Sequence, residues 1–159
     1  MIVMQLILFC LLFTALVKWG VRDNAINGLF FYPKPYQELA YERGIADREI
    51  ISQKRKKFML PFVLVMLIAL LLIIGLWNKV HEFQQAYLQA LLFLEVMNWY
   101  DGIFIDEVWV GYSSFWKIPS MENIPYVQTW KQMLKKRIIL TGIWIIGAAI
   151  VAGMVVVMF

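Results

Sequence analysis

Apolar positions dominate four stretches of the chain, at residues 1–17, 58–77, about 87–110 and 138–159, and polar positions gather between them. Each stretch approaches the ~20 residues that an α-helix needs to cross ~30 Å of hydrocarbon. The pattern predicts an all-α integral membrane protein, one domain over residues 1–159, built as a bundle of four transmembrane helices with short cytoplasmic interfacial helices. The connections at residues 18–57 and 111–137 are long, and the one between the second and third stretches is short. In the first connection, Asn27-Gly28 signals a turn, and Leu29-Phe30-Phe31-Tyr32 suits a membrane interface. Pro33 and Pro35 end one element and start another. Gly44 divides the following helix formers into two short helices, with Asp47 placed to cap the second. Pro61 falls in the first turns of the second span, where a missing N–H costs little.

The first stretch is short enough to be confused with a secretion signal. No positive residue precedes its apolar run and no small-residue cleavage site follows it, so a retained anchor is expected.

The third stretch differs from its neighbours because it carries Glu95, Asn98, Asp101 and Asp106 among Leu, Phe, Ile and Trp. A carboxylate near the bilayer centre costs about 2.5–3.5 kcal/mol on insertion scales, so such groups need a partner or a wet cavity and mark the default functional site. At 100° per residue, Asp106 lies about 20° from Glu95 and Asn98 about 60° to the other side, while Asp101 widens the arc to roughly 140°. Glu95 sits about 12 Å from the start of the span at 1.5 Å per residue, close to the midplane. Asp101 lies about two-thirds across and Asp106 approaches the far interface, where Lys18, Arg22, Lys57 and the Lys135-Lys136-Arg137 group can reach Asp106, and Asp101 only by snorkelling. The expected arrangement is a polar network, with a cation or proton site and a headgroup pocket as the sharper alternatives.

Charge sets the expected orientation. Of fifteen Lys and Arg residues, nine lie in 18–57, five in 117–137, and only Lys79 lies in the short connection. By the positive-inside rule the two long connections are cytoplasmic and both termini extracytoplasmic, in a multi-pass protein of the plasma membrane. The chain is 62% hydrophobic and 16% charged, with a net charge of +4, against roughly 45–50% apolar and 25% charged in a soluble domain. The positive charge is therefore read as topology and lipid-headgroup attraction, with no nucleic-acid partner. Lys54, Arg55, Lys56 and Lys57, and Lys135, Lys136 and Arg137, are the candidate headgroup contacts. The run at 54–57 is read first as a stop-transfer anchor and second as a site for a phosphorylated ligand.

Cysteine and histidine usage narrows the chemistry. Single Cys10 and His81 residues leave no disulfide, no CxxC pair, no histidine-held haem or zinc and no Ser-His-Asp triad. No glycine-rich phosphate loop is present. No metal and no cofactor are expected. On the fourth stretch, Gly142, Ala149 and Gly153 fall on one face, with Gly147, Ala148 and Ala152 beside it. This is a small-residue stripe for close packing, within the chain or between copies in a homo-oligomer or larger membrane complex. The second connection carries Tyr112, Phe115, Trp116, Tyr126 and Trp130, suited to headgroup depth or to a lid, and Pro119 and Pro125 frame a turn at 120–123.

The runs Tyr32-Pro33-Lys34-Pro35-Tyr36-Gln37-Glu38 and Glu42-Arg43-Gly44-Ile45 are two of the motifs that matter for comparison. The others are Asn98-Trp99-Tyr100-Asp101 to Ile105-Asp106, and Ile118-Pro119-Ser120-Met121-Glu122. Together they make the chain similar to small four-span membrane proteins of Gram-positive bacteria. The resemblance implies a helical fold and a bacterial plasma membrane, and carries no reaction. In that group the Ile-Pro leads into a Gly-Thr-Glu-Asp-like turn and a later histidine, where this chain has Ser120-Met121-Glu122-Asn123 and no histidine.

Two functions fit. One is a non-catalytic subunit, regulatory or immunity-type factor with a polar face on its third helix. The other is a membrane-embedded enzyme or carrier acting on a lipid or isoprenoid headgroup at the cytoplasmic leaflet. A cavity on that polar face separates them.

Overall fold

The computed structural model describes all residues 1–159, and every regular element in it is helical. Helix α1 spans Ile2–Val21. A 3₁₀ segment, Ala25–Phe31, leads to the short α2, Lys34–Glu42. Helix α3, Arg48–Leu71, continues through a π-helical end, Leu72–Trp77. Helix α4, Phe83–Tyr100, continues into a longer π-helical segment, Asp101–Val110. After a 3₁₀ turn at Ser114–Trp116, α5 runs from Trp130 to Met158. Three of these are long and apolar enough to cross a membrane: Ile2–Val21, Arg48–Trp77 and Trp130–Met158. The acid-bearing α4 is a fourth long helix packed among them.

Local chemistry explains the boundaries. Gly44 takes φ +68° after α2, and the Asp47 carboxylate accepts from the Glu49 and Ile50 amides to cap α3. Thr129 and Gln132 form a reciprocal capping box at the start of α5. The expected second interfacial helix is not separate. Residues 48–57 are good helix formers with no breaker among them, so they wind directly into the apolar part of α3. Pro61 consequently lies in the helix interior, not in its first turns, a position that helices among apolar neighbours tolerate.

The helices alternate in direction. At one end Gln5 Nε2 donates to Asn78 Oδ1 at 2.7 Å, and Asn78 Nδ2 to Gln89 Oε1 at 2.8 Å. A Cβ on Gly75 would collide with the Phe159 ring. Residues at both ends of the chain therefore meet the short connection there. At the other end the two long connections pack on each other: the Tyr32 hydroxyl donates to the Trp116 carbonyl at 2.6 Å and Arg43 to the Ser120 carbonyl at 3.0 Å.

Helix α4 buries Ala86, Ala90, Phe93 and Met97, at i, i+4, i+7 and i+11, and Phe93 meets Phe9 of α1 edge to face at 5.5 Å. Its closest partner is α5, which buries Ala148, Val151, Ala152 and Val155. The close contact within the chain thus falls one residue away from the expected stripe. Gly142 and Gly153 each face open space, and Ala149 is only half-buried. One residue is a 100° rotation, enough to turn that stripe away from α4.

Candidate functional site

The change of winding at Asp101 creates the site. In a π-helix the hydrogen bond spans five residues instead of four, so Asp101 and Asp106 stack on one face, where regular α-helical phase would splay them by about 140°. Both point at Arg137 of α5. Its Nη1 donates to Asp101 Oδ2 at 2.7 Å and to the Asn98 carbonyl at 2.9 Å, and its Nη2 donates to Asp106 Oδ2 at 2.7 Å. Arg137 is 1% exposed. Gly102 makes the approach possible, since a Cβ there would lie 2.8 Å from Arg137 Nε.

Lys136 adds a weaker contact to Asp106 Oδ2 at 3.4 Å. Two acids and two bases thus form a neutral quartet, which offsets the desolvation that either charge would bear alone. A guanidinium suits this place because its planar fork can hold two carboxylates and a carbonyl at once.

Asn98 and Glu95 belong to the same α4–α5 seam, about one and two turns from Asp101. The Thr141 hydroxyl donates to Glu95 Oε2 at 2.8 Å, and Asn98 Nδ2 donates to the Arg137 carbonyl at 3.2 Å. No base reaches Glu95, and its other carboxyl oxygen is buried without a partner in the protein.

Asp101 and Asp106 keep side-chain exposures of 23% and 20%, and that free surface faces a cavity of about 250 Å³. Phe13 and Val17 of α1 and Phe58, Met59 and Phe62 of α3 supply apolar walls. Tyr32, Trp116 and Tyr126 of the two connections close it toward the end of the bundle. Burial pushes the Tyr32 and Tyr126 phenols of this wall, and that of Tyr36 stacked on Tyr32, up from ordinary values that already lie well above neutral pH. The polar end offers carboxylate acceptors from Asp101 and Asp106 and an ammonium donor from Lys136. No serine, cysteine or histidine lines the cavity. No family model, curated protein or solved structure matches this chain.

The four polar residues singled out on the third stretch all lie on the α4–α5 side, but only Asp101 and Asp106 reach the cavity. The basic residues separate more sharply. Arg55, Lys56 and Lys135 are exposed, Lys54 and Lys57 flank a second cleft, and Lys136 is half-buried at Asp106. Arg137 is not a headgroup contact: its position on α5 turns it into the core. The signal was the spacing Met133, Arg137, Thr141, Trp144, Ala148, a helical stripe on which Arg137 shares the buried face. Thr141 and Gly102 were not singled out from the sequence, and nothing local marks either one.

Proposed function

We propose that the chain is a four-span protein of the bacterial plasma membrane that holds a lipid-like amphiphile in the cavity at its cytoplasmic end, in a non-catalytic carrier, sensing or regulatory role. The observation that carries this reading is the cavity itself: apolar walls from α1 and α3 leading to a polar end made by Asp101, Asp106 and Lys136. At about 250 Å³ it is smaller than the roughly 300–1,000 Å³ of drug-sized ligand sites. It suits a headgroup and the first carbons of a chain whose remainder stays in the bilayer. The neutral balance of the quartet favours a headgroup that is zwitterionic or hydroxyl-bearing. Binding is favoured over chemistry because Arg137 engages both carboxylates, and Lys136 is itself paired with Asp106.

The α4 segment completes the four spans, its carboxylates turned to α5 and the cavity. The charge split supports both termini being extracytoplasmic, with fourteen of fifteen bases in the two long connections. Single cysteines at Gly44, Ser120 and His81, in a Cys10→Ala background, test this in intact cells. An impermeant thiol reagent is expected to label only the His81 position, and labelling of the other two from outside reverses the topology.

The binding test uses the purified protein and native mass spectrometry of the lipids that it retains. Met59→Trp, at the half-open mouth, and Val17→Trp, in the wall, are expected to reduce the retained amphiphile about tenfold. Undiminished retention in a folded Met59→Trp protein removes the cavity from consideration.

A further inference from the structure

The quartet accounts for Lys136 and Arg137 but leaves another concentration of positive charge unexplained. Where α1 ends and α3 begins, Trp19, Arg22, Asn27, Lys54 and Lys57 surround a cleft of about 280 Å³. Three cations converge there from two helices, and no acid is among the lining residues. Clustered cations repel, and Lys54, half-buried here, is the one least screened by water, so an anion between them is favoured.

One side of the cleft is fixed by Lys54 and Asn27, while the Arg22 and Lys57 side chains are exposed at its rim. Lys54 is half-buried and donates to Asn27 Oδ1 at 2.9 Å, while Asn27 Nδ2 donates to the Val21 carbonyl at 3.2 Å. Arg22 caps α1 with φ 54°, a left-handed conformation that residues with a side chain seldom adopt. The Lys18 ammonium bonds to the Arg22 carbonyl, and the Arg22 amide to the Lys18 carbonyl, both at 2.8 Å, which hold that turn in place. Lys54 and Lys57, three residues apart, share the helix side that faces the end of α1, whereas Arg55 and Lys56 do not line the cleft. Trp19 and Phe58 close its apolar edge with ring centroids 6.3 Å apart. Convergent donors on Arg, Lys and Asn beside an aromatic pair suit the tetrahedral oxygens of a phosphate attached to something apolar.

We infer that this cleft binds a phosphate group, carried by an anionic membrane lipid or by a soluble phosphorylated molecule. The inference shares with the proposed function only the placement of this end of the bundle, and does not depend on the Asp101–Asp106 cavity.

The test measures phosphatidylglycerol retained by the full-length protein in mixed micelles with phosphatidylcholine, by native mass spectrometry. Arg22→Asn with Lys57→Gln removes two cations from the cleft. Arg55→Gln with Lys56→Gln removes the same charge from the same surface outside the cleft. The first pair is expected to weaken retention about tenfold or more, and the second by no more than about twofold. Equal losses in the two pairs mean diffuse surface attraction and overturn the site, as does unchanged retention in the first pair. Retention of oleate as tight as that of phosphatidylglycerol overturns the phosphate assignment. Displacement of the lipid by millimolar inorganic phosphate assigns the site to a soluble phosphate, and resistance to displacement assigns it to lipid. In a Met59→Trp background, which fills the other cavity, the difference between the two pairs is expected to persist, so the two readings fail separately.

Discussion

Arg137→Met is expected to destabilise the protein by about 3–5 kcal/mol, because it leaves Asp101 and Asp106 stacked, like-charged and without their main partner. Lys136 cannot take over, since its ammonium reaches only Asp106, at 3.4 Å. Arg137→Lys should recover only part of the loss: one ammonium on a shorter reach cannot serve two carboxylates and the Asn98 carbonyl. Combining Arg137→Met with Asp101→Asn and Asp106→Asn should restore much of the stability, as neutral replacements of buried ion pairs often do. Reversible unfolding in mixed micelles, followed by circular dichroism, gives these differences. A loss below about 1 kcal/mol in Arg137→Met, the range of an exposed pair, would show that the guanidinium does not hold the quartet together.

The second large effect is expected at Trp116→Ala, again about 3–5 kcal/mol, the usual range for removing a fully buried large aromatic. Trp116 is 1% exposed and packs edge-on to Trp109 and Phe115, at 5.2 and 5.5 Å, with Tyr32 at 6.0 Å. It therefore joins the first connection to the second and forms one wall of the cavity. Its loss should lower the melting temperature, speed proteolysis within residues 111–129, and reduce the retained amphiphile. Trp116→Phe keeps most of the packing and should cost far less. Unaltered proteolysis in Trp116→Ala would mean that the two connections hold together without it.

Much of this architecture is legible in the sequence, because the length of an apolar run is a direct physical requirement of crossing hydrocarbon. The pairing of the two long connections at one end agrees with the charge distribution. What escapes is phase. The stack of Asp101 over Asp106 depends on π winding that no residue between them announces, and a constant 100° per residue places them far apart. Arg137 sits beside two lysines in a run that reads as an interfacial anchor, although it occupies the buried stripe of α5. On α5 the stripe of Gly142, Ala149 and Gly153 turns away, and Ala148 and Ala152 beside it are the small residues that are buried. Element ends shifted for a related reason: charged residues such as those at 48–57 form helix as readily as apolar ones, so the helix runs on where the hydrophobic pattern stops.

The pairing between α4 and α5 also bears on how the chain is made. Synthesis proceeds from the N-terminus, and Arg137 follows Asp101 by 36 residues and Asp106 by 31. When α4 leaves the ribosome its carboxylates have no guanidinium to meet, and each lowers the tendency of that segment to enter lipid. In the four-span reading, α4 therefore settles in the bilayer only once α5 has been synthesised, and the two enter as a pair. A nascent chain arrested before Arg137 would carry two membrane-inserted helices and a third still waiting at the insertion machinery.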